Sequence, residues 1–337
     1  MRAPCFTLLA VVLAFGRAPA RAQDLPDLAV DATTLGSSVT YDLLSFSPDG
    51  CELQPADLCV RAPGARKLLR FSVFAVNQGT ADLRVGNPLD ELDVQLPNGD
   101  AKWVYSSCHK HYHFQTFARY ELRRRGETTP ILVGQKRSFC VEDTRVATAT
   151  SPRKYCCTAE CQNVQGVQVG WGDLYPSTLP CQWIDVTDDV PPGEYDLCVF
   201  LNTAQILPES DYANDASCTS LTIAAPSKPG PKIRLKSPHG HAKAKVGRVL
   251  RVVWQKKVPG AFKFQEVWFS PDDGVTWRLL AENLAEKPNA YRWRVPADAV
   301  SEHARLRVVV WGRNPPTGGG ESFQKGVATS GAFRIVP

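Results

Sequence analysis

The chain has 337 residues, 43% of them hydrophobic, so it is long enough to bury two cores and exceeds the usual size of one small domain. Its formal net charge of +5 conceals two halves of opposite sign. Residues 23–227 contain 16 Lys and Arg against 26 Asp and Glu, a net of −10, whereas residues 228–337 contain 20 against 8, a net of +12. An acidic region is thus joined to a basic one, and this asymmetry bears on the solubility and the binding partners of the protein.

Residues 1–22 have the pattern of an export signal. Arg2 supplies the positive start, Phe6 to Phe15 form a short apolar core, and Ala20-Arg21-Ala22 is typical of a cleavage site. The apolar core is too short to span a bilayer, and no later stretch reaches the roughly 18 residues that a spanning helix needs. We therefore expect a secreted protein, extracellular or periplasmic, whose mature chain begins at Gln23 and does not span a membrane.

The cysteine count indicates disulfides. Of eleven cysteines, Cys5 lies in the predicted signal. The ten of the mature chain are Cys51, Cys59, Cys108, Cys140, Cys156, Cys157, Cys161, Cys181, Cys198 and Cys218. An even number in an exported chain is typical of a disulfide framework, and a zinc site is less favoured because no C-x-x-C pair occurs. All ten precede residue 219, so disulfides are expected in the acidic half only.

A segment rich in proline and glycine, residues 225–231, separates the two halves and is predicted to be a linker. Before it, apolar alternation predicts strands near residues 69–75, 195–202 and 218–223. Long helical patterns are scarce. Residues 23–224 are therefore predicted to form an all-β domain with long, disulfide-bonded loops.

The basic half, residues 232–337, has strand patterns at regular spacing. They lie at residues 249–254, 265–269, 292–295, 305–311 and 332–336. This spacing predicts a smaller β-sandwich of immunoglobulin or fibronectin III type. Within it, Ser270 to Trp277 match S-x-D-x-G-x-T-W, the Asp-box hairpin, and a single copy predicts a structural turn rather than glycosidase chemistry.

Three of the six histidines, His109, His111 and His113, fall within five residues. Side chains at i, i+2 and i+4 of a strand share one face, so the three imidazoles are predicted to converge. Imidazole is a ligand of both copper(II) and zinc, and the histidines alone leave the metal open. The alternative is a solvent-facing histidine stripe on an edge strand.

Around this cluster the chain resembles the catalytic domain of the lysyl oxidase family, over roughly residues 24–223. The matching stretches, in the family's order, are Asn77-Gln78-Gly79-Thr80, Ser107-Cys108-His109-Lys110-His111-Tyr112-His113, Lys136-Arg137-Ser138-Phe139-Cys140, Glu142-Asp143-Thr144, Cys157-Thr158-Ala159, Asp173-Leu174-Tyr175, Cys181-Gln182-Trp183-Ile184-Asp185 and Pro208-Glu209-Ser210-Asp211-Tyr212. The basic half has no part in the resemblance. For residues 23–224 the resemblance implies a disulfide-stapled, lysyl-oxidase-like β-sandwich.

The resemblance implies that His109, His111 and His113 are copper(II) ligands. It also implies that Lys136 and Tyr175 join to form lysine tyrosylquinone, a cofactor built from the chain itself. The activity it implies is that of an oxidoreductase, an amine oxidase that converts primary amines to aldehydes. Peptidyl lysine is the family's substrate class, O2 is consumed, and ammonia and hydrogen peroxide are released. Taken singly, each residue also has an explanation without a catalytic role. Lys136 is then an ordinary solvated surface lysine, and Tyr175 is a half-buried tyrosine of the core.

Such a reaction needs a base within hydrogen-bonding reach of the proton on the substrate's α-carbon. Asp173 lies two residues before Tyr175, and Asp211 lies in the matched stretch that ends at Tyr212. Both are candidates. Either carboxylate is equally explained as the polar residue of an Asx turn or a strand end, so the identity of the base stays open.

The resemblance also implies disulfide pairs. They are Cys51–Cys59 and Cys108–Cys157, and the remaining cysteines are assigned as Cys161–Cys181, Cys198–Cys218 and Cys140–Cys156. Val146 and Trp171 stand where the family has cysteines. The loops that carry Lys136 and Tyr175 are therefore expected to be held differently from those of the family.

The leading hypothesis is a secreted copper- and quinone-dependent amine oxidase. The alternatives are a non-catalytic secreted copper-binding protein and a surface-adhesion protein on the same scaffold. The joint presence of Lys136 and Tyr175 favours the oxidase, because a mere copper-binding protein has no need of that pair. The basic half either holds the protein on an anionic polymer or surface or docks onto its acidic neighbour. No nucleic-acid recognition motif occurs, so no nucleic-acid partner is expected.

Overall fold

The computed structural model describes residues 24–55, 57–108, 110–134, 140–156, 163–188, 190–225, 228–314 and 323–337. The predicted signal segment, residues 1–22, lies outside these ranges, and so do His109, Lys136, Cys157 and Cys161. Within the ranges the chain is nearly all β, as predicted. No helix in this described part is long and apolar enough to cross a membrane.

The acidic half contains one short α-helix in its described residues, α1 (Ala32–Ser37), besides a 3-10 turn at Cys51–Leu53. Helix α1 begins where the Asp31 side chain accepts a hydrogen bond from the Thr34 N–H at 2.7 Å. The described strands of this half are β1 (Leu28–Val30), β2 (Thr40–Phe46), β3 (Gly64–Arg70), β4 (Val73–Asn77), β5 (Leu83–Gly86), β6 (Trp103–Ser106), β7 (His111–Phe114), β8 (Ala118–Arg124), β9 (Pro130–Gly134), β10 (Arg145–Val146), β11 (Gln165–Val167), β12 (Trp171–Tyr175), β13 (Trp183–Asp185), β14 (Gly193–Leu201) and β15 (Ala216–Ile223).

Two four-stranded sheets, β1-β4-β12-β10 and β15-β14-β8-β9, supply much of the main core of this half. Val73 and Ala75 of β4 share that core with Leu122 of β8 and Leu197 of β14. A three-stranded sheet, β13-β3-β2, and the pairs β5-β11 and β6-β7 complete the domain. The single strand predicted at residues 69–75 is divided, because β3 and β4 join different sheets.

The basic half contains the remaining described strands. They are β16 (Lys232–Ser237), β17 (Lys243–Lys245), β18 (Val249–Lys257), β19 (Ala261–Ser270), β20 (Arg278–Leu284), β21 (Ala290–Arg294), β22 (Ser301–Arg313), β23 (Phe323–Thr329) and β24 (Phe333–Val336). The five strands predicted from sequence in this half correspond to β18, β19, β21, β22 and β24. No described sheet mixes strands from the two halves.

The basic half folds as two sheets that enclose one core. The smaller sheet is β16-β18-β21, and the larger is β17-β24-β22-β19-β20 with β23 also paired to β22. Val252 and Trp254 of β18 share this core with Phe269 of β19 and Leu306 of β22. The Asp-box residues form the predicted structural turn, in which Asp272 accepts a hydrogen bond from the Thr276 N–H at 2.8 Å.

Most of the predicted disulfides are wrong. The described pairs are Cys51–Cys108, Cys59–Cys181 and Cys198–Cys218. They agree with the predicted Cys198–Cys218 and contradict Cys51–Cys59, Cys108–Cys157 and Cys161–Cys181. Cys140–Cys156 is also wrong, because Cys156 is free and exposed although Cys140 is disulfide-bonded.

The physical reason for these errors is the position of the loop that contains residues 51–59. One end of this loop lies beside the turn between β6 and β7, and the other lies beside the segment before β13, so each cysteine meets a partner distant in sequence. Val146 of β10 and Trp171 of β12, the two positions at which the resemblance led us to expect cysteines, are direct cross-strand neighbours and form an apolar pair.

The basic half docks onto the β2-β3 hairpin of the acidic half. Leu43 and Ala65 form a small apolar cluster with Val309, Trp311 and Phe323 of the basic half. Burial of apolar surface in this cluster contributes to holding the two halves together.

Polar contacts surround this apolar cluster. The Ala65 N–H donates a short hydrogen bond to the buried Glu266 carboxylate. Lys325 pairs with Asp188 at 3.0 Å, and the Ser45 hydroxyl donates to Glu282 at 2.5 Å. Of the two roles left open for the basic half, docking is thus present in the structure.

We predict that Gly64→Ala destabilises the docked arrangement. Gly64 has φ +81, and a Cβ there would lie 2.5 Å from Cζ2 of Trp268 and 2.9 Å from Glu266. The expected loss in the free energy of unfolding is about 1–2 kcal/mol for the backbone conformation, plus about 1–3 kcal/mol for overpacking. Urea unfolding of the full chain measures both.

Gly99→Ala is the matched control, because Gly99 has φ +87 and a Cβ at this position would meet no described heavy atom within 4 Å. It should show only the backbone loss. Equal losses for the two variants would contradict a close contact between Gly64 and the basic half.

Candidate active site

Two of the three clustered histidines lie on the β6-β7 hairpin. His111 and His113 are 2% and 4% exposed, and their Nε2 atoms are 3.0 Å apart. They share one face of β7, as residues at i and i+2 must. Buried imidazoles whose nitrogens meet in this way are suited to hold one metal ion or one proton between them.

The predicted continuous strand through all three histidines is wrong in part. β7 begins at His111, and Lys110 before it has φ +58, a left-handed conformation that ends an extended run. His109 itself lies outside the described residues. Among the described residues no group of three His, Cys, Asp or Glu side chains is arranged to hold a metal ion.

A buried carboxylate that the sequence did not reveal lies beside the histidine pair. Asp57 is 3% exposed, and its Oδ1 is 3.7 Å from Nδ1 of His113. The Ser106 hydroxyl donates to the other carboxylate oxygen at 3.0 Å. A carboxylate beside the distal nitrogen of a metal-binding histidine fixes the tautomer and ring orientation of that histidine. No sequence signal marks Asp57, because 56 residues separate it from His113.

Tyr175 lies at the end of β12, buried in the main core. Tyr175 is the cross-strand partner of Val73 on β4, and its hydroxyl donates to the Cys140 carbonyl oxygen at 3.4 Å. The Tyr175 ring lies against Phe117, with ring centroids 6.3 Å apart. Phe117 is four residues beyond His113, so the chain that leaves the histidine strand runs directly to the Tyr175 ring.

Asp173 shares a face of β12 with Tyr175 and is 1% exposed. Burial raises the pKa of Asp173 to about 8. A hydrogen bond with Tyr175 and others from the Glu142 N–H and the Thr144 hydroxyl oppose this rise, whereas the nearby Glu142 carboxylate adds to it. A carboxyl group with a pKa near neutrality exchanges protons readily at physiological pH, as a general base must.

Asp211, the other candidate base, lies in an exposed loop. Its carboxylate accepts a hydrogen bond from the Ala213 N–H at 2.8 Å, which is the Asx-turn geometry that the sequence left open for it. The neighbouring Glu209 is buried and accepts hydrogen bonds from the Leu28 N–H and the Asn202 amide. Of the two candidates, Asp173 is thus the buried one, and Asp211 is the one that forms an Asx turn.

Lys136 lies in the segment 135–139, outside the described residues. The residues that flank this segment are described. Gly134 ends β9, which pairs with β8, and Cys140 contributes the carbonyl that accepts the Tyr175 hydroxyl. The segment that contains Lys136 therefore ends at a residue in contact with Tyr175.

A disulfide-bonded, all-β domain with a buried imidazole pair and a buried tyrosine–aspartate pair defines a candidate metal-and-tyrosine site. The family model described as lysyl oxidase matches residues 46–225, just over half of the chain. The chain belongs to the lysyl oxidase family.

Curated relatives support this assignment. The chain is 36% identical over 199 residues to protein-lysine 6-oxidase of Gallus gallus, a match that covers 57% of this chain and 44% of the relative. It is 35% identical over 199 residues to protein-lysine 6-oxidase of Sus scrofa, covering 57% and 74%. It is 34% identical over 210 residues to lysyl oxidase homolog 2 of Gallus gallus, covering 60% and 25%. The match thus spans less than half of the length of the chicken relatives.

Asp173 is predicted to make stability depend on pH. Its pKa of about 8 in the folded chain lies above the ordinary value of 3.8, so between these values the folded state holds a proton that the unfolded state has lost. This contribution to stability is complete below about pH 4 and is lost as the pH rises through 8, by at most about 1.4 kcal/mol per pH unit.

The neutral, isosteric variant Asp173→Asn should lack this dependence. Urea unfolding of the metal-free chain at pH 5, 6 and 7 should show the variant gaining stability relative to the parent as the pH rises. Parallel pH profiles for the two chains would contradict a buried, protonated Asp173.

Proposed function

We propose that this chain is a secreted copper- and quinone-dependent amine oxidase of the lysyl oxidase type. The reaction would convert a primary amine, O2 and water to an aldehyde, ammonia and hydrogen peroxide. The proposed substrate is a lysine side chain of a protein. The observation that carries the proposal is the buried Tyr175, whose hydroxyl contacts Cys140, four residues after Lys136.

Chain length supports a meeting of Lys136 with Tyr175. Four residues span at most about 14 Å between Cα atoms, even when fully extended. The described contact of Tyr175 with Cys140, four residues from Lys136 in sequence, therefore supports the proposed meeting. We propose that these two side chains form lysine tyrosylquinone. When formed, this group supplies the electrophilic carbonyl that accepts an electron pair from the amine.

Copper(II) is the proposed metal, with His109, His111 and His113 as ligands. The described pair fits such an ion, because both imidazoles are buried and their Nε2 atoms lie 3.0 Å apart. Imidazole nitrogen is a preferred ligand of copper(II). Asp57 would hold the orientation of His113 through its Nδ1.

Asp173 is the proposed base. Its deprotonated fraction, which grows as the pH approaches 8, would take the proton from the α-carbon of the bound amine, and the raised pKa makes that carboxylate a stronger base than an exposed aspartate. Burial among core side chains also excludes water from the proton-transfer step. The Thr144 hydroxyl, 3.4 Å from the carboxylate, would hold its orientation.

The location and partners proposed for the protein follow from the same features. Three described disulfides support an oxidising compartment, extracellular or periplasmic. The proposed partners are an amine or lysine-containing protein, O2 and, through the basic half, an anionic polymer or surface.

We predict that Tyr175→Phe abolishes amine oxidation while the chain stays folded, because only one buried hydroxyl is lost. Peptide mass spectrometry of the copper-loaded parent should find Lys136 and Tyr175 in one cross-linked peptide, and hydrogen peroxide release from a lysine-containing peptide should report activity. Tyr105→Phe, at a 47% exposed tyrosine on β6, is the control and should keep both signals.

Separate, unmodified Lys136 and Tyr175 peptides from the copper-loaded parent would contradict the oxidase proposal. A chain that still bound copper would then be the non-catalytic copper-binding protein.

Asp57→Asn is predicted to weaken copper(II) binding by about 10- to 100-fold, because a neutral amide holds the His113 ring less strongly than the carboxylate does. Competition with a chelator measures the affinity, and electron paramagnetic resonance reports the copper environment. Asp93→Asn removes an exposed carboxylate and should change neither. Unchanged copper affinity in Asp57→Asn would limit Asp57 to a structural contact with Ser106.

A further inference from the structure

The smaller sheet of the basic half, β16-β18-β21, has an outer face that is strongly cationic. Alternation along the three strands separates the core side chains from the exposed ones. The exposed cations on this face are Lys232, Arg234, Arg251, Lys257, Arg292 and Arg294. The three strands contain no Asp or Glu. This set of six side chains is called the cationic face.

Two of the cross-strand pairs on the cationic face join like charges. Lys232 lies directly opposite Lys257, and Arg251 lies directly opposite Arg292. Like charges at directly opposed positions of an antiparallel sheet are destabilising. Within the described residues, none of these four side chains forms an ion pair. Stability alone does not account for such an arrangement, whereas binding of an anion does.

Docking leaves the cationic face free of the acidic half. The docking contacts come from the outer face of the larger sheet, through residues such as Trp311 on β22 and Glu266 on β19. The outer faces of the two sheets of a sandwich point in opposite directions. The cationic face therefore lies on the side of the basic half opposite these docking contacts.

The spacing of the cations fits an extended ligand. Arg251 and Lys257 are six residues apart on β18, which corresponds to about 20 Å along the strand. Arg292 and Arg294 adjoin the first, and Lys232 adjoins the second. A single small anion reaches either the cations around Arg251 or those around Lys257, but not both. A linear polymer with repeated negative charges contacts both sets of cations.

We propose that the cationic face binds a linear polysaccharide that carries sulfate or carboxylate groups. Guanidinium groups form paired hydrogen bonds with such anions. A flexible polymer follows the twist of a sheet, whereas a flat membrane meets only part of a twisted face. No described aromatic side chain is exposed on these strands to stack on nucleic-acid bases. The binding is independent of the proposed oxidase chemistry.

Binding of the full chain to immobilised heparin, a linear sulfated polysaccharide, tests the proposal. The variant Arg251→Gln, Lys257→Gln, Arg292→Gln should bind about tenfold or more weakly near 0.15 M salt. The slope of log affinity against log salt concentration should fall by about three, roughly one for each cation removed. Removal of a like-charge pair should leave the midpoint of urea unfolding no lower than that of the parent.

The matched control is Lys243→Gln, Lys245→Gln, Lys287→Gln, which removes the same charge from exposed positions outside the cationic face. It should change heparin binding by less than about twofold, since screening limits distant charges. Equal weakening by both triple variants would overturn the proposal, because net charge alone would then explain the binding.

Two further measurements distinguish other occupants. Stronger capture by phosphatidylserine-containing vesicles, or by single-stranded DNA, than by heparin at equal ionic strength would also overturn the proposal. Hydrogen peroxide release from a small soluble amine should be equal in the parent and both variants. Loss of heparin binding with unchanged peroxide release separates this surface from the oxidase site, and a chain without oxidase activity still tests the surface.

Discussion

The candidate site depends on one doubly anchored loop. Cys51–Cys108 ties the start of this loop to the histidine hairpin, and Cys59–Cys181 ties its end to the segment before β13. Asp57 lies between the two anchors, where it is held against His113 and Ser106. A loop fixed at both ends loses little further conformational entropy when its carboxylate is buried, so the disulfides help to offset the cost of desolvating Asp57.

The second constraint is the pairing of β12 with β4, which carries Asp173 and Tyr175 into the main core together. Burial has opposite consequences for the two side chains. It gives the Tyr175 ring a fixed position against Phe117, and it raises the pKa of Asp173 toward neutrality. The same desolvation that lowers the stability of the chain at high pH therefore supplies the basicity proposed for Asp173. A cost in stability at a functional site is a common pattern in enzymes.

The two sheets of the basic half have outer faces of different character. The outer face of its larger sheet is apolar around Trp311 and docks onto the β2-β3 hairpin, whereas the outer face of its smaller sheet is the cationic face. The sequence presented docking and anchoring as alternatives, but the two sheets of a sandwich make them compatible. The apolar cluster is buried within this contact, whereas the one described ion pair across it, Lys325–Asp188, is partly exposed.

Local patterns in the sequence determined the all-β class, the strands of the basic half and the shared face of His111 and His113 on β7. Alternation and short motifs act over a few residues and need no knowledge of distant contacts. Tertiary structure decided what joins distant segments. Three disulfide predictions were wrong because Cys51, Cys59, Cys108 and Cys181 bond to partners distant in sequence. Asp57 was not predicted as part of the site, because no motif connects it to His113. Contacts between residues far apart in the chain depend on how whole sheets and loops pack. The spacing of residues along the sequence does not predict that packing.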